Sequence, residues 1–188
     1  MNSLNIYCVT DKVLKNLETS SLKLVGVGKK EFPKNYIIPN SLNNIFYKEK
    51  YYSELTFHYW YWKNLLQSEK SSWVGFCQKR RFWIKNDSLN TKINQENVVE
   101  HLLLNAASDW EKSNAIICNP INVFGAKKIK LIKRGWKNII KNPGLIFGTS
   151  KENLNTHFDM HHGYGNLNKA INLLDVHDRE NFRKYVNN

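Results

Sequence analysis

Short apolar runs alternate with longer amphipathic stretches along the chain. Four runs rich in β-branched and aromatic residues predict buried strands, at residues 4–10, 21–28, 73–77 and 114–124. Helical periodicity or turn residues fill the stretches between them. This alternation is typical of an α/β domain with a largely parallel sheet. No internal repeat or low-complexity linker interrupts the pattern, so we expect one domain over residues 1–188.

The aromatic stretch at residues 51–66 has the clearest helical pattern in the chain. Its apolar positions recur at helical spacing and are Leu55, Tyr59, Trp62 and Leu66. This periodicity predicts an amphipathic helix that packs on the core through these positions, with Ser53 as its N-cap. Three polar side chains then remain to face a ligand or a neighbouring loop, namely Glu54, His58 and Lys63.

The second half of the chain is mostly helical by its pattern. Residues 93–113, 132–141 and 175–188 predict helices. Asp175 and Asp178 lie one turn apart at the start of the last helix, and we expect them to cap its N-terminus. A histidine cluster followed by glycines, within residues 157–174, predicts a loop that turns into a helix.

The composition indicates a globular protein with a strong positive charge. Hydrophobic residues make up 41% of the 188 residues, and the formal net charge is +12. This charge favours an anionic partner such as a nucleic acid, an acidic membrane surface or a phosphorylated ligand, although lysine is common throughout the chain. No apolar run reaches the ~20 residues of a membrane span, and the first residues lack a signal-peptide pattern. We therefore expect a cytoplasmic protein, with Cys8, Cys77 and Cys118 as buried thiols.

Two clusters in the first half of the chain suggest chemistry. Three basic residues follow the predicted strand at residues 73–77, and these are Lys79, Arg80 and Arg81. Ligands of open α/β sheets bind beyond the carboxyl ends of the strands, and guanidinium groups match diphosphate oxygens; the alternative is a solvated basic turn. Glu54 and His58 lie one helical turn apart. This pair suits acid-base chemistry or sugar binding, or else it forms a structural hydrogen bond.

A third cluster lies before the helix predicted in residues 157–174. Its members are His157, Asp159, His161 and His162. Histidines with one carboxylate and no cysteine are an ambiguous set of metal ligands. We therefore prefer ligand-contacting or general-base roles for this cluster to a metal site. Gly163 and Gly165 would let the backbone approach a ligand closely.

Together, the aromatic stretch and the strand with its basic end resemble the signature of a bacterial family of sugar transferases associated with capsular polysaccharide and lipopolysaccharide synthesis. The family pattern is approximately N-x-x-Y-x-E-L-T-x-x-Y-W-x-W-K-N, followed by G-x-x-H-Y-R-R. In the first part the matching residues are Tyr52, Glu54, Leu55, Thr56, Tyr59, Trp60, Trp62, Lys63 and Asn64. Gly75, Arg80 and Arg81 match the second part, and residues 6–12 resemble the family's opening strand and turn.

The resemblance implies a glycosyltransferase A-type fold, with a Rossmann-like, mostly parallel sheet flanked by helices. It implies a hexosyltransferase-like enzyme, of galactofuranosyl or similar type, with a nucleotide-diphosphate sugar donor and a glycan or lipid-linked glycan acceptor. Peripheral association with an anionic membrane is expected with it. The predicted donor-binding residues are Thr10, Asp11, Lys12, Glu54, His58, Tyr59, Trp62, Lys63, Arg80 and Arg81. The predicted catalytic residues are Asp159, His161 and His162.

The chain departs from the family pattern in several places. Gln78 and Lys79 replace the His-Tyr pair, and Asn114 stands where an aspartate commonly leads the next strand. An Asp-x-Asp motif is absent from the sequence, so no metal site is assigned; Mn²⁺ or Mg²⁺ is an alternative, and no other cofactor is expected. The family continues past the last helix, so this chain, which ends at Asn188, is expected to be C-terminally truncated or a short form.

Two other functions compete with a transferase. A catalytically inactive relative that acts as a scaffold in glycan synthesis would explain Gln78 and Asn114. A nucleic-acid-binding module would use basic residues and stacking aromatics. Most aromatic residues of the stretch at residues 51–66 recur at the helical spacing of core positions and do not alternate as on a strand that stacks bases, so no nucleic acid is expected as a partner.

Overall fold

In a computed structural model, the chain is described at residues 3–28, 31–119, 132–133, 136–141, 143–144 and 154–187. The chain divides into two compact units, Met1–Ile116 and Ile117–Asn188. The first unit carries a parallel sheet with helices, and the described part of the second is helical. One domain over residues 1–188 stays a prediction.

Three parallel strands form the sheet of the first unit. They are β1 (Leu4–Thr10), β2 (Lys23–Gly26) and β3 (Trp73–Gln78), in the spatial order β2-β1-β3. In the register, Cys8 of β1 lies between Leu24 of β2 and Cys77 of β3. The strands predicted at residues 4–10, 21–28 and 73–77 are confirmed, and so is a mixed α/β fold with a small parallel sheet.

The fourth predicted strand, at residues 114–124, is wrong in its described part. Residues 114–119 have no regular secondary structure, and Ile117 is 81% exposed. An apolar run becomes a strand only when a neighbour pairs with its backbone, and within the described sheet no strand pairs with the outer edge of β3. Cys118 is consequently exposed, contrary to the prediction, whereas Cys8 and Cys77 are buried thiols. The rest of this predicted strand lies outside the described residues.

The helices of the first unit are short. They are α1 (Glu49–Tyr52), α2 (Leu55–Asn64) and α3 (Val98–His101). Single 3₁₀ turns occur at Lys15–Leu17, Phe46–Lys48, Leu66–Ser68, Asn86–Ser88 and Ser108–Lys112. The helix predicted over residues 93–113 is therefore mostly wrong. Asn94 Oδ1 accepts the backbone N–H groups of Glu96 and Asn97, which favours a turn before α3, and Leu103 donates its N–H to Trp83 instead of continuing the helix.

Both faces of the sheet are covered. One face packs Ile6 and Cys8 against loops and α3, with Leu17, Val98 and Leu102 among the buried side chains. On the other face the buried cluster consists of Tyr7, Val9, Val25, Val27, Phe57, Trp60 and Tyr61, so α2 lies across the sheet. A parallel sheet covered on both faces is the expected arrangement of an α/β fold.

The predicted packing face of α2 is wrong. Leu55, Trp62 and Leu66 are each at least 50% exposed, and the helix packs through Phe57, Trp60 and Tyr61 instead. Both sets recur at helical spacing, so periodicity alone could not select between them. The predicted N-cap is also wrong, because Ser53 has a φ of 46° and ends α1 without capping α2 through its side chain.

The second unit contains four described helices: α4 (Trp136–Lys141), α5 (Leu154–His162), α6 (Asn166–Asn172) and α7 (Val176–Asn187). α4 and α7 confirm the described parts of the helices predicted at residues 132–141 and 175–188. The Asp175 cap is confirmed too, because its Oδ1 accepts the N–H of Asp178 at 3.0 Å. The loop predicted at the histidine cluster is wrong, since His157 to His162 belong to α5. Among the described helices, none combines the length and apolar character that a bilayer crossing requires.

Candidate functional site

A cleft with a volume of about 200 Å³ opens where the three strands of the sheet end. Residues at and just after the carboxyl ends of β1, β2 and β3 line it together with the residues that precede α2. The lining residues are Val9, Thr10, Asp11, Val27, Ser53, Glu54, Gln78, Lys79 and Arg80. Loops converge at this edge of a parallel sheet, which makes it the usual position for a ligand in open α/β folds. The structure therefore brings together four predicted donor-binding residues: Thr10, Asp11, Glu54 and Arg80.

Each of the two carboxylates of the cleft is bound by a residue at the end of β3. Lys79 forms an ion pair and hydrogen bond with Asp11, and this hydrogen bond holds the pKa of Asp11 below its usual range. Gln78 Nε2 donates to Glu54 Oε1 at 2.6 Å. Gln78 and Lys79 are the positions at which the chain departs from the sugar-transferase pattern that it resembles. The departures therefore coincide with the contacts that hold Asp11 and Glu54.

Thr10 shapes the floor of the cleft. The residue is 2% exposed, and its hydroxyl accepts the N–H of Lys12 at 3.0 Å and donates to the carbonyl of Lys12 at 2.7 Å. These two bonds close a tight turn after β1, a common role for threonine. Thr10 therefore positions Asp11 in the cleft. Lys12 is exposed and is not a lining residue.

The two arginines differ in position. Gln78 and Arg81 exchange backbone hydrogen bonds of 3.2 and 3.0 Å, so Lys79 and Arg80 form the tip of a tight turn after β3. Arg80 lines the cleft, whereas Arg81 is exposed outside it. Among the ion pairs between described residues, none includes Arg80. The guanidinium of Arg80 is therefore the cation of the cleft best placed to meet an anionic ligand.

His58 lies behind the cleft rather than in its lining. Its ring centroid is 4.6 Å from that of Phe76, and burial lowers its pKa while the charge of Glu54 opposes this shift. The backbone N–H of His58 donates to the carbonyl of Glu54 at 3.3 Å, but within the described residues no side-chain hydrogen bond joins the pair, and the Glu54 carboxylate accepts from Gln78 instead. The imidazole of His58 therefore packs against β3 through Phe76 and is not part of the lining of the cleft.

Three predicted donor-binding residues lie on α2 but do not line the cleft: Tyr59, Trp62 and Lys63. Lys63 Nζ lies 3.5 Å from the centroid of the Trp62 ring, a cation–π contact, and the Tyr59 hydroxyl donates to Asn43 Oδ1 at 3.1 Å. These contacts make a separate surface on the outer side of the helix.

The predicted catalytic residues all lie on α5, in the second unit. Asp159 is 6% exposed; its Oδ2 accepts from Asn138 Nδ2 and its Oδ1 from the N–H of Gly165, both at 3.0 Å. These bonds tie α5 to α4 and to the start of α6. His161 and His162 are exposed, and the ring of His162 packs 4.4 Å from that of Phe158. Across the described residues, the His, Cys, Asp and Glu side chains form no group of three or more that could hold a metal ion.

A polar network around Glu69 was missed by the sequence analysis. Glu69 Oε2 accepts the hydroxyls of Tyr7 at 3.2 Å and Tyr61 at 3.1 Å, and Oε1 accepts the N–H of Ser71 and the amide of Asn5. Burial would raise the pKa of Glu69, but hydrogen bonds led by that of Ser71 lower it to about 2. Burial and the Glu69 charge raise the pKa of Tyr7 to about 12. The surrounding polar loop sequence carries no signal that would have revealed this network.

A larger cavity of about 490 Å³ lies near the amino ends of β1 and β3. Tryptophans dominate its wall, with Trp73, Trp83 and Trp110 among the lining residues, and no charged side chain lines it. It therefore lacks a cation that could neutralise the charge of a diphosphate. The smaller cleft at the carboxyl ends of the strands is the better candidate for chemistry.

Comparison with protein families gives a match to the chain. The model of a family described as "Domain of unknown function (DUF4422)" matches residues 5–186, which is nearly the whole chain. A search of curated proteins and a search of solved structures each found no match.

Proposed function

The chain belongs to the DUF4422 family, and we propose that it is a glycosyltransferase that uses the cleft at the strand ends to bind a nucleotide-diphosphate sugar. The acceptor would be a glycan or lipid-linked glycan of the cell surface, and the site of action the cytoplasm. We infer with it that the small parallel sheet belongs to a fold of the glycosyltransferase A type.

One observation carries this proposal. Asp11, Glu54, Lys79 and Arg80 converge on a cleft at the carboxyl ends of three parallel strands. The positive end of the α2 dipole borders the same cleft through Ser53 and Glu54, which favours a negative group there. The volume of about 200 Å³ is below the roughly 300 Å³ of pockets that enclose a drug-sized ligand. It suits a diphosphate with adjoining sugar hydroxyls rather than a whole donor.

The chemistry requires a cation at the leaving diphosphate and a base at the acceptor. The acceptor oxygen forms a bond to the anomeric carbon, the bond from that carbon to the diphosphate oxygen breaks, and the acceptor proton passes to a base. Arg80 would stabilise the charge on the diphosphate. Lys79 would leave its ion pair with Asp11 and pair with a phosphate oxygen of the donor instead. Glu54, held by the neutral amide of Gln78, is the better base of the two cleft carboxylates. Asp159, His161 and His162 stay alternative predictions for the base.

Thermal-shift measurements test donor binding. The purified chain is screened against uridine and guanosine diphosphate sugars, with and without Mn²⁺. We expect one nucleotide class to raise the melting temperature, since a ligand at 100 times its Kd adds about 2.7 kcal/mol to the free energy of unfolding. Failure of every nucleotide sugar to stabilise the chain would contradict the proposal.

The two adjacent arginines provide a matched pair of variants. Arg80→Ala should weaken donor binding by about 10- to 100-fold, the usual cost of a lost hydrogen bond to a charged group. Arg81→Ala should weaken it less, because Arg81 does not line the cleft. Isothermal titration calorimetry with the donor identified above measures both. If Arg81→Ala weakened donor binding more than Arg80→Ala, the diphosphate would bind at Arg81, outside the cleft, and the cleft geometry would not describe the donor site.

A catalytically inactive relative is the second candidate function. The ion pair of Asp11 with Lys79 and the bond of Glu54 to Gln78 occupy both carboxylates of the cleft, and this observation favours it. Such a protein would bind the donor without releasing nucleoside diphosphate in the presence of acceptor. The double variant Gln78→His, Lys79→Tyr restores the residues of the family pattern. If turnover appears only in this variant, the natural chain is the inactive form.

A further inference from the structure

The outer side of α2 carries large apolar side chains that no described residue covers. Leu55, Trp62 and Leu66 are 52%, 55% and 50% exposed, and Tyr59 lies in the same stripe at helical spacing. The ring of Tyr59 meets the Trp62 ring edge to face at 5.9 Å between centroids. Single exposed apolar residues are ordinary on protein surfaces, but a contiguous stripe marks an interaction site.

Exposed tyrosines and a leucine also lie in the segments that precede α2. Tyr47, Tyr51 and Leu42 are 77%, 78% and 76% exposed. Asn64 holds the loop of Leu42 against the C-terminal end of the helix, because its Nδ2 donates to the carbonyl of Asn43 at 2.9 Å. We call the set Leu42, Tyr47, Tyr51, Leu55, Tyr59, Trp62 and Leu66 the outer face.

Positive charges surround the aromatic rings of the outer face. Three lysines lie beside its rings: Lys48 Nζ is 5.5 Å from the Tyr47 ring centroid, Lys50 Nζ is 5.9 Å from that of Tyr51, and Lys63 Nζ is 3.5 Å from that of Trp62.

The carboxylates of the same segment face elsewhere. Glu54 lies in the cleft, bonded to Gln78, and Glu49 Oε1 would lie 3.8 Å from a Cβ added at Gly28, in the loop that follows β2. The face therefore presents aromatic rings, leucines and ammonium groups, with the nearby acids turned away.

We propose that the outer face docks on the surface of an anionic lipid bilayer. Tyrosine and tryptophan rings are favoured at the level of the lipid headgroups, and leucines can enter the acyl region below them. Lysine ammonium groups reach lipid phosphates while their stems remain among the rings. Charge complementarity extends beyond the face, since the whole chain carries a formal net charge of +12.

A bilayer fits this face better than a nucleic acid does. Single-stranded nucleic acid stacks its bases on aromatic rings, and the three leucines of the face offer no such platform. Trp62 was predicted to pack in the core, and this prediction is wrong because the side chain is exposed. An exposed tryptophan could stack on a base, so the test below includes RNA. The inference goes beyond the proposed function and does not require donor binding, although Leu55 directly follows Glu54 of the cleft.

Vesicle co-sedimentation with the full chain tests the proposal. The vesicles contain phosphatidylcholine alone or phosphatidylcholine with 30% phosphatidylglycerol. We expect binding to the anionic vesicles, and a loss of at least about 10-fold in partitioning in the double variant Leu55→Ser, Trp62→Ser. In the matched control Phe182→Ser, Tyr185→Ser, two exposed aromatics of α7 are replaced, and binding should persist. Melting temperatures show that each variant is folded.

A second readout depends on Trp62 itself. Brominated lipids in the anionic vesicles should quench part of the tryptophan fluorescence, and Trp62→Phe should remove that part while the chain still binds. Three outcomes overturn the proposal: no binding to anionic vesicles, equal binding by the double variant, or quenching that Trp62→Phe leaves unchanged. The proposal is also overturned if the chain does not bind vesicles but binds single-stranded RNA or self-associates, and the double variant loses that interaction.

Discussion

The two sides of α2 are both aromatic, yet only one of them belongs to the core. On the inner side, Phe57, Trp60 and Tyr61 are at most 7% exposed. On the outer side, Leu55 and Trp62 are more than half exposed. The difference comes from the sheet, because Tyr7 and Phe76 provide rings that the inner side chains can meet.

The contacts of the inner side are both apolar and polar. Tyr61 meets the rings of Tyr7 and Phe76 at 5.1 and 5.4 Å between centroids, and its hydroxyl donates to Glu69. Trp60 Nε1 donates to the carbonyl of Ser41 at 2.9 Å. Buried tyrosine and tryptophan need such partners for their polar atoms. The side of an aromatic helix that faces the core is thus set both by the apolar area that it buries and by the hydrogen-bond partners available to its tyrosine and tryptophan side chains.

The largest expected effect is that of Phe57→Ala. Phe57 is fully buried between Tyr7, Trp60 and Phe76, so its truncation leaves a cavity between α2 and the sheet. We expect the free energy of unfolding to fall by about 3–5 kcal/mol, measured by urea denaturation. A loss below about 1 kcal/mol would mean that α2 does not pack on the sheet through this side.

Glu69→Gln should have the next largest effect, about 2 kcal/mol at neutral pH, because it removes the charge that four donors share. The folded-state pKa of Glu69 is lowered from 4.5 to about 2, so its contribution is present above pH 4.5 and is lost as the pH falls toward 2. Denaturation of both proteins from pH 7 to pH 2.5 should show the difference shrinking. A difference that is constant over this range would exclude the charge as its cause.

Trp60→Phe should cost about 1–2 kcal/mol. The substitution keeps an aromatic ring against Phe57 but removes the hydrogen bond to Ser41, a loss of about 1 kcal/mol, and some buried area. Thermal denaturation measures the change. If Trp60→Phe lowered the free energy of unfolding as much as Phe57→Ala does, the hydrogen bond to Ser41 would stabilise the inner side more than its ring packing does.

Trp62→Ala should have the smallest effect on stability, within about 0.5 kcal/mol, because the side chain is 55% exposed and touches Lys63 and Tyr59 rather than the core. Urea denaturation beside Phe57→Ala makes the direct comparison between two large aromatic residues of one helix. A cost above about 2 kcal/mol would show that the outer face is buried in the folded protein, and it would remove the basis of the docking proposal.

The candidate site was predictable in part. Arg80 was identified because basic residues that follow a strand lie at the edge of a parallel sheet where ligands bind. Asp11 was implied only by the resemblance to sugar transferases, and Glu54 by that resemblance and by its spacing from His58. The partners of the two carboxylates were not predictable, since contacts of Lys79 and Gln78 span 68 and 24 residues of sequence. Glu69 was missed for the same reason, because its bond to Tyr7 spans 62 residues.

The sequence by itself determined the three parallel strands, the existence of α2 and the Asp175 cap, since local periodicity and short-range hydrogen bonds specify these features. Only the tertiary structure decided which side of α2 is buried, that residues 114–119 do not form a strand and that the histidine cluster is helical. The physical reason is common to all three. Each outcome depends on which distant groups are available to pack against or to accept a hydrogen bond, and no window of the sequence contains those partners.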